Sequence, residues 1–499
     1  MAECFAILTM TTLPNSSSDP LSIAGLDRLA AEARRDFERL RYPAPDWVPP
    51  RSGPDGRRVL DVLVVGGGMC GQTVGLALAR DGIRNIRIID RACYGREGPW
   101  GTYARMDMLR SPKHLTGPDL GFPALTFRAW YEAQHGPQGW ERLYKIATAD
   151  WLAYLLWVRK TAGVAIDNGV EAIDIAPEPD LVRVELQTDS GKRETVVARK
   201  VVLAGGRDGW GAPYLPPFPS LPRRTAGPQR VFHSSDAIDF ARFEGGRIGV
   251  LGASASAFDN AAVALEAGAS EVRLFSRRPH LPQVNKSKWS VFPGFFHGYR
   301  DLDDDLRWQI YTYIFGVQTP PPHESVLRCD RHTGFAVHFS EPWTDVIPGP
   351  DAVEVVTATA RYVFDAVILA TGFSVDLAQR PELARVHDKV LLWRDRVTPK
   401  EAARNPQAAR FPYLGRGFEL MPRDAGAVPG LGNVHCFNFA VTFSHGAMAG
   451  DIPGIADGVN RLSRALCSAL FVATADGVLP ALHAHDDREL EPTRYFLPR

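Results

Sequence analysis

Two short runs rich in small residues carry the side chains best suited to chemistry. In VLDVLVVGGGMCGQTVGLALARDGIRNIRIID, Gly66, Gly68 and Gly71 fit G-x-G-x-x-G, and Asp90 follows about two dozen residues beyond the first glycine. The first glycine permits a tight turn, the second lets backbone approach a pyrophosphate, and the third lets a helix pack close to its strand. The helix N-terminus offers unpaired N–H groups to the phosphates, and Asp90 can accept hydrogen bonds from a ribose hydroxyl pair. In GGRIGVLGASASAFDNAAVALEAGASEVRLFSRRP, the small residues Gly252, Ser254 and Ala257 take the glycine positions, with Ala255 and Ser256 opening the helix. Here the second strand ends in Ser276, Arg277 and Arg278 instead of an acid. An acid would repel a 2′-phosphate and an arginine can grip one, so this unit suits NADP(H) better than NAD(H). The two different endings imply two different nucleotides.

The elements that must hold these residues follow from apolar patterning. Residues 60–65 are nearly all apolar, as a strand buried on both faces requires. The runs VVLAGG (201–206) and FDAVILATGF (364–373) read as further buried strands, each ending in small residues that let the chain turn beside a nucleotide. They bracket the second unit. The expected fold class is therefore α/β, with two Rossmann-like dinucleotide-binding domains and the NADP domain inserted in the other. The boundaries expected are 1–57 for an N-terminal tail and helix, 58–225 and 363–499 for the first domain, and 226–362 for the insertion. Residues 1–20 are polar and Ser-rich and predict a loose tail, with Met10 a second candidate start, and LSIAGLDRLAAEARRDFERLRY predicts a helix.

Composition narrows the function classes. The 499 residues are 45% hydrophobic and 23% charged, which supports a packed core in two or three domains. Lys+Arg and Asp+Glu balance at 57 each, so no net field draws nucleic acid. The six cysteines are scattered without C-x-x-C, which argues against a disulfide framework, a zinc site or a dithiol electron relay. His483 and His485 read as surface residues, and no metal is expected. No apolar run reaches the ~18 residues of a membrane span, and AILTM is too short for a signal-peptide core, so a cytoplasmic location is expected. Homo-oligomerisation is left open.

Taken together, GGGMCG (66–71), GPWGTY (98–103), FHSSDA (232–237), GASASA (252–257), FSRR (275–278) and ATGF (370–373) resemble the class B flavin-dependent monooxygenases. That family includes flavin-containing, N-hydroxylating and Baeyer–Villiger enzymes. The resemblance implies FAD on the first unit and NADP on the second. By this likeness Met69, Cys70, Arg91, Ala204 and Gly205 join the first glycines and Asp90 around FAD, and Ala370, Thr371 and Gly372 form a second nucleotide-side turn. Trp100 would lie against the flavin, as would Met108 and His114 in MDMLRSPKHLTG, where Arg110, Ser111 and Lys113 are further polar candidates. The helix in IATADWLAYLLWVRKTAGV, capped by Thr148 or Asp150, would run beside FAD, Val170 would meet the adenine through its backbone, and His445 with Gly446 would approach the isoalloxazine.

One family signature departs here. Of F-x-G-x-x-x-H-x-x-x-(Trp/Tyr/Phe), only His233 matches well, with Gln229 and Ala237 at the glycine and aromatic positions. This favours nitrogen or sulfur oxygenation over Baeyer–Villiger chemistry and gives His233 a role in organising the linker and NADP. Asn285 and Lys286 are the candidates for polar contacts near nicotinamide or substrate. The activity implied is NADPH-dependent insertion of one oxygen atom from O2 into a small organic substrate through C4a-(hydro)peroxyflavin. The alternatives are a Baeyer–Villiger enzyme acting on a ketone, an NADPH-dependent flavin oxidase or reductase, and an FAD-binding redox sensor.

Overall fold

The computed structural model describes residues 20–53, 56–115, 117–221, 229–490 and 493–495; the polar tail expected over 1–20 lies almost wholly outside them. The chain enters through helix α1 (Pro20–Arg39), whose Leu29, Ala33 and Phe37 are buried in the main core. Strands β1 (Leu60–Val65) and β2 (Ile86–Asp90) pair in parallel, with helix α2 (Met69–Arg80) crossing between them. After α3 (Phe127–Arg142) and α4 (Thr148–Thr161) come β3 (Asp167–Asn168), β4 (Val170–Pro177), β5 (Val182–Thr188) and β6 (Arg193–Leu203). The sheet order is β3-β2-β1-β6-β5-β4. Its parallel half carries the apolar runs, and the β4–β5–β6 meander is antiparallel.

Beyond β7 (Gly211–Pro213), a second sheet gathers β8 (Val231–His233), β9 (Arg247–Leu251), β10 (Glu271–Phe275), β11 (Phe335–His338) and, much later, β15 (Ala366–Leu369). All its pairings are parallel, in the order β11-β10-β9-β15-β8, with helix α5 (Ala255–Glu266) following β9. A small antiparallel sheet of β12 (Trp343–Pro348), β13 (Val353–Thr357) and β14 (Arg361–Phe364) adjoins it. The chain then returns through β16 (Phe373–Val375), which pairs antiparallel with β7, and β17 (Val434–Cys436) adds to β6 of the first sheet. The two crossings are thus zipped to each other.

Two boundaries differ from expectation. β15 pairs with β8 and β9, so the second unit extends past residue 362 to Leu369. Fully apolar strands look alike in sequence, and only pairing decides their sheet. The segment around α6 (Asp304–Val317) also leaves the second unit: Phe295, Tyr299, Trp308, Tyr311 and Ile314 are buried in the first unit's core. The Tyr299 hydroxyl donates to the Phe443 carbonyl at 3.0 Å, and Tyr311 Oη accepts the Ala447 N–H at 2.9 Å. The chain re-enters the second unit at α7 (His323–Asp330), where Cys329 packs in that unit's core. Helix α8 (Ile455–Val472) closes the first unit against α2, and among the described residues no single helix is long and apolar enough to cross a membrane.

The two fingerprint helices differ in how tightly they meet their turns. A Cβ on Gly71 would lie 1.8 Å from the Gly66 carbonyl oxygen, whereas Ala257 carries its Cβ at the equivalent place and is fully buried. Gly71→Ala should therefore destabilise by about 1–3 kcal/mol through forced backbone movement. Ala257→Gly should cost only about 1 kcal/mol, the helix-propensity difference. Thermal midpoints of both variants check this, and an unshifted Gly71→Ala would show that the turn yields freely.

Candidate active site

The first cradle forms where β1 turns into α2. Gly66 sits at φ +108°, where a Cβ would come within 2.6 Å of the Ala204 carbonyl oxygen. Gly68 begins α2 with no side-chain cap, so the first-turn N–H groups are offered to a ligand. Asp90 holds this loop in place: its carboxylate accepts the Gly67 N–H at 2.7 Å and the Ala92 N–H at 2.8 Å. Burial raises its pKa, and those two hydrogen bonds oppose the rise. A narrow cleft at this turn is lined by Gly67, Gly68, Met69 and Gln72 together with Glu97 and Arg159. A cradle that any Cβ would fill, facing an uncapped helix end and a fixed carboxylate, fits a dinucleotide.

The second cradle repeats this geometry. Gly252 sits at φ +127° with its missing Cβ 2.6 Å from the Ala370 carbonyl oxygen, and Ser254 starts α5 without a side-chain cap hydrogen bond. Ala255 is buried behind it, and the Ser256 carbonyl accepts the Asn260 amide at 2.7 Å. At the strand end, the buried Ser276 hydroxyl accepts the Arg278 N–H at 3.1 Å. Arg277 is exposed, while the Arg278 guanidinium donates to the Gly316 carbonyl at 2.6 Å at the end of α6. The two arginines therefore stand in different situations.

Several expected residues converge on the first cradle. The Gly98 amide is 3.7 Å from where a Cβ of Gly68 would sit, which brings the GPW block to the glycine loop; Trp100 is half-buried, 6.3 Å from Trp151. Cys70 is enclosed beside the Gly450 backbone, and burial pushes its thiol up to about 12. The Ala204 N–H donates to Val65 at 2.7 Å, Gly205 packs on Gly209, and Val170 is buried at the start of β4. Arg91 is exposed and pairs with Asp208 at 3.2 Å. Met108 and His114 turn elsewhere: Met108 lines a surface pocket with Tyr131 and His135, and His114 is exposed edge-on to Trp140.

The junction between the cradles is built from hydrogen bonds. His233 Nε2 lies 2.9 Å from the Gly372 carbonyl, and Nδ1 lies 2.7 Å from Ser235 Oγ and 3.1 Å from the Ser235 N–H. A carbonyl only accepts, so the ring is the Nε2–H tautomer, and burial lowers its pKa. His233 thus ties the end of β8 to the Ala370-Thr371-Gly372 turn, whose Thr371 hydroxyl donates to the Tyr214 carbonyl. Arg105 reaches across from the first unit to the Ser234 and Asp236 carbonyls. Asn285 caps the 3-10 turn Lys286–Ser290 through the Ser287 N–H, and the Lys286 ammonium lies 6.0 Å from the Tyr313 ring. His445 is fully buried, stacked on Phe418, with Nε2 at 2.9 Å from the Gly415 carbonyl and Nδ1 at 3.1 Å from Arg461. Its ring nitrogens are both occupied.

Sequence reasoning missed the network under the first cradle. Arg159 donates to Glu97 at 2.7 Å and to Asn168 Oδ1 at 3.1 Å, and Asn168 donates to Glu97 at 2.6 Å. The only signal was the acid immediately before GPW, which spacing alone could not join to a helix more than sixty residues away. Arg105 was likewise hidden in an otherwise unremarked stretch.

Comparison with known proteins agrees with this geometry. The family profile described as pyridine nucleotide-disulphide oxidoreductase matches residues 63–295. A protein of Xanthomonas campestris pv. campestris named FAD-dependent urate hydroxylase is 38% identical over 471 residues, covering 93% of this chain and 97% of its own length. Among solved structures, the ornithine hydroxylase of Pseudomonas aeruginosa aligns with TM-score 0.64 at 15% identity, covering 83% of this chain and 100% of that one. The L-lysine 6-monooxygenase of Pseudomonas syringae aligns with TM-score 0.61 at 17% identity, covering 82% of this chain and 99% of that one. With its relative matched almost end to end and its two cradles in place, the chain belongs to the class B flavin-dependent monooxygenases.

Proposed function

We propose that this FAD- and NADPH-dependent monooxygenase hydroxylates a planar nitrogen heterocycle of the urate type. The observation that carries the reading is the 38% identity spread over 97% of a urate hydroxylase, which takes in both cradles and the α6 segment between them. This takes precedence over nitrogen or sulfur oxygenation, since the likeness to the ornithine and lysine enzymes is one of fold alone. The overall change is substrate–H, O2, NADPH and a proton going to substrate–OH, water and NADP+. Bound in the first cradle, the flavin supplies hydride acceptance and O2 activation.

The chain's own residues bind, align and shield. Asp90, already fixed by two N–H groups, would receive the ribose hydroxyls, and the uncapped first turn of α2 would receive the pyrophosphate. The β7–β16 pair, His233 and Arg105 would hold the second cradle at a set distance from the first. Tyr311, Phe439 and Phe443, packed across α6 and the C-terminal segment, would keep water from the junction.

Four outcomes are expected. Purified enzyme should oxidise NADPH in the presence of urate and O2 with one hydroxylated product per NADPH; NADPH consumption yielding only peroxide would replace this reading with an oxidase. Asp90→Ala should raise the FAD dissociation constant by roughly 10- to 100-fold, the worth of a charged hydrogen-bonding group, measured by flavin retention on dilution. Arg277→Ala should raise KM for NADPH by roughly tenfold or more and leave KM for NADH unchanged, because that exposed guanidinium makes no hydrogen bond or ion pair among the described residues and would meet the 2′-phosphate. Arg278→Ala, which also releases the end of α6, should weaken both coenzymes.

A further inference from the structure

The small antiparallel sheet of β12, β13 and β14 carries no fingerprint residue, yet its side chains bear on the coenzyme loop. β10 and β11 run in parallel and end at the same level, where Phe275 pairs with His338. Beyond that pair, residues 276–278 and 338–341 are joined through their backbones. The Ser276 N–H donates to the His338 carbonyl at 2.8 Å, and the Glu341 N–H donates to the Ser276 carbonyl at 2.9 Å. The Ser340 N–H donates to the Arg278 carbonyl at 3.0 Å. Ser340 makes that bond at φ +56°, a left-handed conformation that a residue other than glycine keeps only where its surroundings hold it.

The Glu341 carboxylate supplies the hold. It accepts the His338 Nδ1–H at 2.9 Å, the Tyr362 hydroxyl at 2.7 Å and the Thr357 hydroxyl at 3.1 Å, which ties the 338–341 turn to β13 and β14. The His338 ring also stacks on Phe275 at 4.5 Å, and Tyr362 meets the same ring edge-on at 5.0 Å. The residue just before Ser276 is thus packed by two of the side chains that bind Glu341. Burial alone would raise the Glu341 pKa, but the three donors bring it below the usual carboxylate value. An unanswered acid near this loop would repel a 2′-phosphate, and this one is answered three times. Of the loop's own side chains, Ser276 and Arg278 are engaged with the protein. Arg277 is exposed and, among the described residues, has no hydrogen bond or ion pair.

We propose that Glu341 is a positioning residue for coenzyme choice: through His338, Tyr362 and Thr357 it fixes the 338–341 turn, and that turn presents Arg277 to the 2′-phosphate of NADPH. The inference rests on the reading of Arg277 above and adds that the selectivity of the loop is set from outside it, by the small sheet.

The test uses the full-length, FAD-loaded enzyme without O2, in which NADPH or NADH reduces the flavin and absorbance follows the rate. Half-saturating concentration and limiting rate are measured for wild type, Glu341→Ala, Glu341→Gln, Arg277→Ala and the double variant Glu341→Ala with Arg277→Ala. Glu341→Ala should raise the half-saturating NADPH concentration roughly five- to tenfold and change that for NADH less than about twofold, with a far smaller effect on either limiting rate. Glu341→Gln keeps an oxygen for the two hydroxyls and should lie between wild type and Glu341→Ala. In the double variant the loss for NADPH should be no greater than in Arg277→Ala, because one path carries both effects. Equal weakening of NADPH and NADH by Glu341→Ala makes the residue a general support of the unit and overturns the proposal, as does no change with either coenzyme. Additive losses in the double variant overturn the route through Arg277. Arg277→Ala that leaves NADPH unaffected overturns the reading of Arg277 itself, whatever Glu341→Ala does. Low flavin content or a low thermal midpoint identifies Glu341→Ala as misfolded, and Glu341→Gln and Tyr362→Phe then decide by the same comparison of the two coenzymes.

Discussion

A glycine without a side chain, pressed against the carbonyl of an alanine, occurs twice in this chain and sets nearly everything else. At Gly66 the partner is Ala204, at Gly252 it is Ala370, and both approaches would leave 2.6 Å between a Cβ and the carbonyl oxygen. Because the backbone can pass that close, the strand turns directly into a helix, and the helix begins with its N–H groups uncovered. Because the partner alanine ends the neighbouring parallel strand, the next segment must also turn away at that point. The strand end, the helix start and the chain's exit to the other unit are therefore geometrically coupled. A larger side chain at either glycine would disturb the strand end, the phosphate seat and the linker together.

The linkers convert two similar cradles into one site. β7 and β16 run antiparallel, and a Cβ on Gly211 would fall 1.8 Å from the Ser374 carbonyl oxygen, so the crossing is as tight as the turns that precede it. His233 and Arg105 add side-chain bonds from either side of that crossing. The aromatic segment around α6 acts in the same direction, since it departs from the second unit yet buries Trp308 against Trp393, 6.0 Å apart, in the core of the first. Four covalent passages, two of them into and out of the α6 segment, together with that packed helix, restrain the units, which is a stronger constraint than their direct surfaces alone would give.

What could be read from the sequence was what depends on local spacing. The glycines and Asp90 each lie within one strand–helix–strand unit, and the structure brings the glycines into two matching turns, with Asp90 fixed at the first. What could not be read depends on non-local pairing. The strand at 366–369 is as apolar as the one at 60–65, so nothing in its residues says which sheet it joins. The segment 295–314 is rich in aromatics that suit either a channel or a core, and the core they entered lies on the other unit. Glu97, Arg159 and Asn168 belong to three separate elements, and only their burial made a network necessary. The family resemblance puts His445 near the isoalloxazine, whereas its ring contacts Gly415, Phe418 and Arg461, which come from segments that the sequence does not bring near it.

The fold rests on a few close backbone approaches more than on the identity of most side chains. At 15% identity to an ornithine hydroxylase the architecture still superposes with TM-score 0.64, so the cradles and linkers tolerate wide change provided the close approaches survive. Buried charges are not tolerant in that way, because each buried ion costs several kcal/mol unless it is matched. This chain matches them with care: Arg159 with Glu97 at 2.7 Å, Arg199 with Asp61 at 3.2 Å, Arg105 with two carbonyls.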